Sequence, residues 1–370
     1  MKRKKSKGDV NNSFPSDALI SWYQKNGREL PWRETNDPYH IWISEIMLQQ
    51  TRVDTVIPYY HRFICAFPTI KDLAGANRQS VLKLWEGLGY YSRARNFQDA
   101  ARQVMNDYSG MIPDSYDEIR KLKGIGPYTS AAILSIAYNK PFAVVDGNVI
   151  RVMTRYYGID DDIRSAQTKN VIQQLTDEAL DPLQPADFNQ AVMELGATVC
   201  TPHQPDCNAC PISRNCVAFN TLKTDSIPYK SPAKKAPHHQ IGVGIIINEK
   251  NEVLIALRRE DAMLGGLWEF PGGKKKESEK IEETVYRELA EELGVEVQVL
   301  NKFMEVKHAY SHFKITMHAY FCIINNGTPT PNDSQKLAWV SVSGLDEYPF
   351  PKANKVLIEK LIQTGLPDLL

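Results

Sequence analysis

The stretch Leu122-Lys-Gly-Ile-Gly-Pro-Tyr-Thr-Ser-Ala-Ala132 decides the fold of the longer part of this chain. It lies between segments whose apolar residues recur every three or four positions, so it joins two helices. Its paired glycines, Gly124 and Gly126, permit a tight turn whose backbone N–H groups can face a phosphate. The reading is a helix-hairpin-helix, although an ordinary helix–helix turn uses the same residues, and a second signal has to support it.

That signal follows about twenty residues on. Ala143-Val-Val-Asp-Gly-Asn-Val-Ile-Arg-Val152 places Asp146 after an apolar run and just before a new helical stretch, where Asp is also a good N-cap. Upstream, Ile41-Trp-Ile-Ser-Glu-Ile-Met-Leu-Gln-Gln-Thr-Arg-Val53 puts Glu45 on a helical segment crowded by Trp42, Ile46 and Leu48. A carboxyl group so placed carries a raised pKa and suits general-acid work better than a solvated helix surface does.

The helical pattern extends over residues 17–220. Beyond a connector at 221–239, with three prolines and four lysines between 221 and 240, the composition changes. Ile241 to Ile247, Glu252 to Leu257 and Phe313 to Ile323 read as strands, with one helix near 279–293. The chain is therefore multi-domain: an all-α domain at 17–220, then an α+β domain at 240–370. Its 370 residues exceed what one core usually organises.

The net charge is zero, so any nucleic-acid binding must come from local geometry. Residues 1–16 read as a basic disordered tail with at most a weak phosphate-contact role, since five of the first seven are Lys or Arg. No run approaches the roughly 20 apolar residues of a membrane span. The basic start continues into Gly8 and Asp9 without an apolar signal core, and a cytoplasmic location is expected.

Four of the six cysteines fall close together: Cys200, Cys207, Cys210 and Cys216, with six, two and five residues between them. Such thiolates can hold a [4Fe–4S] cluster or a tetrahedral zinc, and spacing leaves both open. Cys65 and Cys322 stand apart and read as small buried hydrophobes. In the second domain, Gly273, Glu279 and Arg287-Glu-Leu-Ala-Glu-Glu-Leu-Gly-Val295 match the Nudix box at every defining position. On a helix, Glu288, Glu291 and Glu292 share a face that can hold Mg²⁺, opposite a stripe of Ile281, Val285, Leu289 and Leu293.

Taken together, these motifs resemble the MutY family of adenine DNA glycosylases over nearly the whole chain, from Leu30-Pro-Trp-Arg33 through both carboxylates, the cysteines and the second domain. The resemblance implies excision of adenine opposite 8-oxoguanine or guanine in double-stranded DNA. Glu45 protonates the five-membered ring of the base, and Asp146 faces the oxocarbenium-like sugar, supported by Tyr128 and Asn148. In the bifunctional endonuclease III branch a lysine stands where this chain has Tyr128. A phenol cannot form an imine, so base removal without efficient strand cleavage follows.

Because adenine must be flipped out of the duplex, residues are also needed to line its pocket and fill the gap. By resemblance, Leu30, Trp32 and Gln190 line or bond the adenine. Leu48, Gln50 and Thr51 meet the duplex, with Gln50 entering the vacated site. Tyr90, in Gly87-Leu-Gly-Tyr-Tyr-Ser-Arg-Ala-Arg95, wedges beside the opposing lesion. The cysteines hold a [4Fe–4S] cluster that is structural, its loop meeting the DNA backbone, and an alkali cation sits at the hairpin.

His308-Ala-Tyr-Ser-His-Phe313 is similar to the family's loop for the oxidised guanine, with Tyr310 as stacking residue and Ser311 and His312 as polar contacts. The family's Nudix box is commonly degraded, whereas here it is intact. The second domain is thus a lesion reader, a reader that also binds metal, or an active nucleotide pyrophosphohydrolase. A monomer with bacterial nucleoid association is expected, with repair partners at the connector. Competing whole-chain readings are a glycosylase for thymine opposite guanine, a Nudix hydrolase tethered to a DNA-binding domain, and a catalytically silent lesion binder. Glu45 argues against all three.

Overall fold

The computed structural model describes residues 13–232, 236–310 and 312–367. The helical part comprises α1 Ser16–Asn26, α2 Pro38–Leu48, α3 Val53–Ala66, α4 Ile70–Gly75, α5 Arg78–Trp85, α6 Ser92–Asp107, α7 Tyr116–Ile119, α8 Pro127–Ile136, α9 Gly147–Tyr157, α10 Ala166–Ala179, α11 Pro185–Thr198 and α12 Val217–Asn220. The mixed part comprises β1 His238–Ile246, β2 Glu252–Arg258, β3 Trp268–Glu269, β4 Gly272–Lys274, α13 Ile281–Leu293, β5 Glu296–Ala309, β6 Lys314–Asn326, β7 Ser334–Ser341 and α14 Lys352–Thr364. No helix among the described residues is long and apolar enough to cross a membrane.

Two compact units result. Described residues up to 64, at 69–71 and at 100–232 form one, while 65–68, 72–99 and those from 236 on form the other. Helix α5 and the first half of α6 thus cluster with the mixed domain, which a boundary drawn at the connector does not anticipate.

In the first unit, α2 and α8 are central because they are apolar on every side. Helix α2 starts on Asp37, whose side chain accepts from Tyr39 N–H, and buries every residue from Tyr39 to Met47 except His40. Helix α8 starts at Gly126 with Pro127 in its first turn and buries Thr129 to Ser135. A second core joins α1, α9, α10 and α11 through Leu19, Val152, Ile172 and Phe188.

Residues 1–12 lie outside the described residues, but Phe14 is buried, edge-on to Tyr156 at 4.8 Å, so the expected tail ends before it. The connector is likewise packed in its first half: Ile227 is buried, and Arg155 Nε donates to its carbonyl at 2.9 Å. Cys322 is buried as expected. Cys65 is exposed instead, because it falls on the outer side of α3.

In the second unit, one sheet has the order β4-β1-β6-β5 and the other β3-β2-β7. Strands β1 and β6 run parallel, and the remaining pairs are antiparallel. Helix α13 packs Val285, Leu289 and Leu293 against Ile246, Tyr320 and Cys322, so the apolar stripe faces the core as expected. Helix α14 covers the other core with Leu357, Ile358 and Leu361.

Candidate active site

A cavity of about 590 Å³ in the first unit gathers residues that lie far apart in sequence. Leu30, Trp32, Glu45, Leu48, Thr51, Tyr128, Asp146, Asn148 and Gln190 all line it. Its volume lies in the range of small-molecule pockets.

Each carboxylate is delivered by a helix. Glu45 is held by α2 with only 5% of its surface exposed, and Tyr128, in the first turn of α8, donates its hydroxyl to Glu45 Oε2 at 2.7 Å. Burial raises the Glu45 carboxyl to about 7; the Tyr128 bond opposes the rise and the nearby charge of Asp146 adds to it. Burial also pushes the Tyr128 phenol well above its ordinary value.

Asp146 caps α9, its Oδ1 accepting from Val149 N–H at 2.7 Å, while Oδ2 accepts from Asn148 Nδ2 at 2.9 Å. Capping and cavity lining therefore coexist in one side chain. Its pKa is raised by burial, against the opposing pull of these two bonds. The expectation that Tyr128 and Asn148 both support Asp146 is corrected in one half. The Tyr128 hydroxyl bonds Glu45, because the α8 start abuts α2.

Four further residues shape this site. Asn189 on α11 fixes the approach to Asp146, accepting from Val144 N–H at 2.9 Å and donating to Phe142 O at 2.8 Å. Arg28, Arg33 and Glu194 also line the cavity as an ion triad in which Glu194 is buried and Arg28 reaches the surface. Glu194 takes Arg28 through both oxygens, at 2.6 and 2.9 Å, and Arg33 at 2.9 Å. Burial alone would raise its carboxyl, but the two guanidinium groups bring it below the usual range. Arg33 was in view at the end of Leu30-Pro-Trp-Arg33, whereas nothing local marks Glu194.

Asn148 connects the site to the cysteines. Arg151 Nη2 donates to Asn148 Oδ1 at 2.8 Å, and Arg151 Nε donates to Cys200 O at 2.7 Å. Cys200, Cys207, Cys210 and Cys216 line one small cavity together. Arg155 Nη1 lies 3.4 Å from Cys200 Sγ and donates to Thr201 O at 2.7 Å, while Cys216 Sγ donates to Arg155 O at 3.4 Å. Burial pushes the Cys210 thiol up to about 12. Among the described residues, no three His, Cys, Asp or Glu side chains converge as closely as a single metal ion requires.

The remaining predicted contacts lie outside the cavity. Gln50 is exposed with φ 58°, a left-handed conformation, while Gln49 turns inward to Thr129 Oγ1 at 3.3 Å. Tyr90 has φ 46°. Non-glycine residues held this way store backbone strain, and such strain gathers at functional positions. At the hairpin, Gly124 has φ 80° as the turn demands, Gly126 caps α8, and Ile125 O accepts from Arg120 Nη1 at 3.3 Å.

In the second unit, Tyr310 stacks on Phe313 at 4.8 Å and meets His308 edge-on at 4.5 Å; burial raises its phenol to about 12. His312 is exposed, and Ser311 lies outside the described residues. Glu288 and Glu291 meet on one nitrogen of Arg287, while Glu292 is held elsewhere. Arg287 Nη1 donates to Glu288 at 2.7 Å and to Glu291 at 3.1 Å, and Glu292 turns to Gly272 N–H at 3.0 Å. Burial and the charge of Glu269 raise the Glu292 carboxyl to about 8.

Comparison with known proteins agrees with this layout. Residues 43–179 match the HhH-GPD superfamily of base excision DNA repair proteins, and residues 242–360 match the NUDIX domain. The chain is 34% identical to the adenine DNA glycosylase of Rattus norvegicus, with 87% of this chain and 73% of that protein covered. It is 32% identical to the adenine DNA glycosylase of Buchnera aphidicola from Acyrthosiphon pisum, covering 93% of this chain and 96% of that protein. A thermostable thymine-DNA glycosylase is similar in structure, with TM-score 0.51 and 30% identity, over 56% of this chain and 95% of that one.

Proposed function

The chain belongs to the adenine DNA glycosylase family, and we propose that it hydrolyses the N-glycosidic bond of adenine mispaired with 8-oxoguanine or guanine in duplex DNA, with Glu45 as general acid. It is a base-excision repair enzyme that removes adenine. One observation carries the catalytic reading: two carboxylates in different environments meet in one cavity, Glu45 buried near pKa 7 and Asp146 bonded at both oxygens.

A carboxyl group titrating near 7 holds its proton in neutral solution and can still release it, which is the requirement for a general acid. Since Glu45 Oε2 accepts from Tyr128, Oε1 is left to carry the proton toward the five-membered ring of adenine. Protonation makes the base a better leaving group. Asp146 then faces the oxocarbenium-like sugar, and water completes the hydrolysis, by the logic of paired carboxylates in glycosidases. Tyr128 cannot form an imine, so the strand stays intact. Leu30, Trp32 and Gln190, with Arg28 and Glu194, form the adenine pocket. Gln50, Thr51 and Tyr90 meet the opened duplex, and Gly124 and Gly126 bring the hairpin N–H groups to a phosphate.

The four cysteines fit a [4Fe–4S] cluster: all four line one cavity and supply the all-thiolate donor set such a cluster takes. Bound there, the cluster would brace the loop whose Cys200 carbonyl anchors Arg151. For the second domain the lesion-reader role is favoured, because Tyr310 stacks on Phe313 and meets His308 in the segment similar to the family's lesion loop.

The test is single-turnover excision on duplexes carrying adenine opposite 8-oxoguanine, guanine or thymine, with and without alkali. Release from the first duplex, with scission needing alkali, is expected. Full excision by Glu45→Gln or Asp146→Asn would remove the catalytic assignment.

A further inference from the structure

The segment carrying Tyr90 and the C-terminal domain belong to one compact unit, and several polar contacts between them converge on the turn before Tyr90. Glu86 closes α5 with a side chain only 12% exposed. Its Oε1 accepts from Phe350 N–H at 2.8 Å, and its Oε2 accepts from Lys83 Nζ at 2.8 Å and from Lys355 Nζ, on α14, at 3.2 Å. The Tyr91 hydroxyl accepts from Gly87 N–H at 3.1 Å and donates to Phe350 O at 3.4 Å. Phe350 thus bonds the turn through both its backbone groups.

Arg93 holds the same turn through Leu88 and Gly89. Its Nη2 donates to Leu88 O at 3.2 Å and Gly89 O at 3.1 Å, and its guanidinium lies over the rings of Trp85 at 5.4 Å and Tyr90 at 5.5 Å. Burial lowers that guanidinium to about 10, and desolvated bonds of this kind are stiff. Gly89, with φ 73°, and Tyr90, with φ 46°, need such support, because a left-handed tyrosine relaxes unless its surroundings over-determine it. The other contacts grip the helices rather than the turn: Gln79 bonds Gly266 O and Trp268 Nε1 at 3.0 Å each, and Arg95 bonds Gly265 O.

We propose that Glu86 is a positioning residue through which the C-terminal domain holds the 87–90 turn in the form that presents the Tyr90 ring to the base opposite adenine. The proposal rests on the reading of Tyr90 as the residue beside that base. It makes lesion preference a property of the lesion loop and of this bond together.

The experiment uses the full-length protein and its variants E86Q, K355M, Y90A and E86Q/Y90A. Each is titrated with duplexes carrying an uncleavable 2′-fluoro adenosine opposite 8-oxoguanine or guanine, and single-turnover excision is measured alongside. E86Q is expected to lower the preference for 8-oxoguanine by about fivefold to tenfold, the size of one ordinary net hydrogen bond. K355M, which leaves the Phe350 bond in place, lowers it by about twofold to fivefold and covers the case in which E86Q folds poorly. Y90A lowers it at least as far as E86Q, and the double variant is no worse than Y90A, since coupled residues are not additive. Excision from the adenine–guanine duplex at saturating protein stays within about twofold for E86Q and K355M. Unchanged preference in both while Y90A loses it, or additive losses in the double variant, overturns the coupling. Unchanged preference in Y90A itself overturns the reading of Tyr90, and the coupling falls with it.

Discussion

Replacing Tyr128 by Phe deletes the hydroxyl that donates to Glu45 Oε2 at 2.7 Å and leaves the ring in place. The bond favours the ionised carboxylate, so it holds the Glu45 pKa below what burial alone would impose. A hydrogen bond to a charged group contributes about 1.5–3 kcal/mol, which corresponds to roughly one to two pH units. From a starting value of about 7, the Glu45 pKa in Tyr128→Phe should therefore lie near 8 to 9. Excision by a general acid fails as pH rises through its pKa. At pH 8.5 the protonated fraction of Glu45 grows from roughly one thirtieth toward one half. The assay is the single-turnover rate of adenine release from pH 5.5 to 9.5, each rate normalised to its own low-pH plateau. Glu45→Gln, which cannot titrate, serves as the reference. The alkaline limb of Tyr128→Phe should move up by about one unit or more. A limb that stays put, or moves down, would refute the assignment of the Tyr128 bond and of the limb to Glu45.

Three further outcomes are expected. Because Glu45 is raised from 4.5 to about 7 in the folded state, its ionisation weighs against folding as pH climbs through that window, at most by roughly 3 kcal/mol; Glu45→Gln should leave stability unchanged at pH 4 and raise it at pH 8, measured by urea unfolding. Gly196→Ala would set a Cβ 2.6 Å from Asn148 Cβ and 3.1 Å from its backbone, displacing the start of α9. Urea unfolding should show a loss of about 1–3 kcal/mol, and excision should fall well beyond the unfolded fraction. Cys216→Ser should reduce bound iron and visible absorption together with thermal stability; full iron content in a stable Cys216→Ser protein would count against its role as a ligand.

Legibility in the sequence followed the distance over which each feature is determined. Glu45 was readable because an acid among Trp42, Ile46 and Leu48 has no solvated helix face to occupy, and Asp146 because capping is local. The direction of the Tyr128 hydroxyl was not readable, since it depends on how α8 meets α2. Glu194 looks like any helical glutamate; only the packing of α11 against residues 28–33 brings it to Arg28 and Arg33. Strand β5 alternates only in two pieces, Glu296 to Val299 and Met304 to Lys307, separated by register shifts at Val299/Lys302 and Lys302/Met304, so its full span does not read as one strand. Helix α14 differs, since buried Ala353, Leu357, Ile358 and Leu361 keep the helical period and were open to reading.

The grouping of residues 72–99 with the C-terminal domain bears on the order in which this chain folds. Lys83 and Tyr91 find their partners at Tyr348 and Phe350, 265 and 259 residues later. A growing chain emerges N-terminus first, so the residues of α5 are synthesised long before the backbone they bind exists. Closing a loop of that length adds little further entropy cost, but it delays the contact, and non-local contacts form late. Hydrogen-exchange pulse labelling during refolding should therefore find the amides of α5 becoming protected together with that of Phe350, later than those of α8. In that sense the C-terminal domain completes the folding of a piece of the helical half as well as its own.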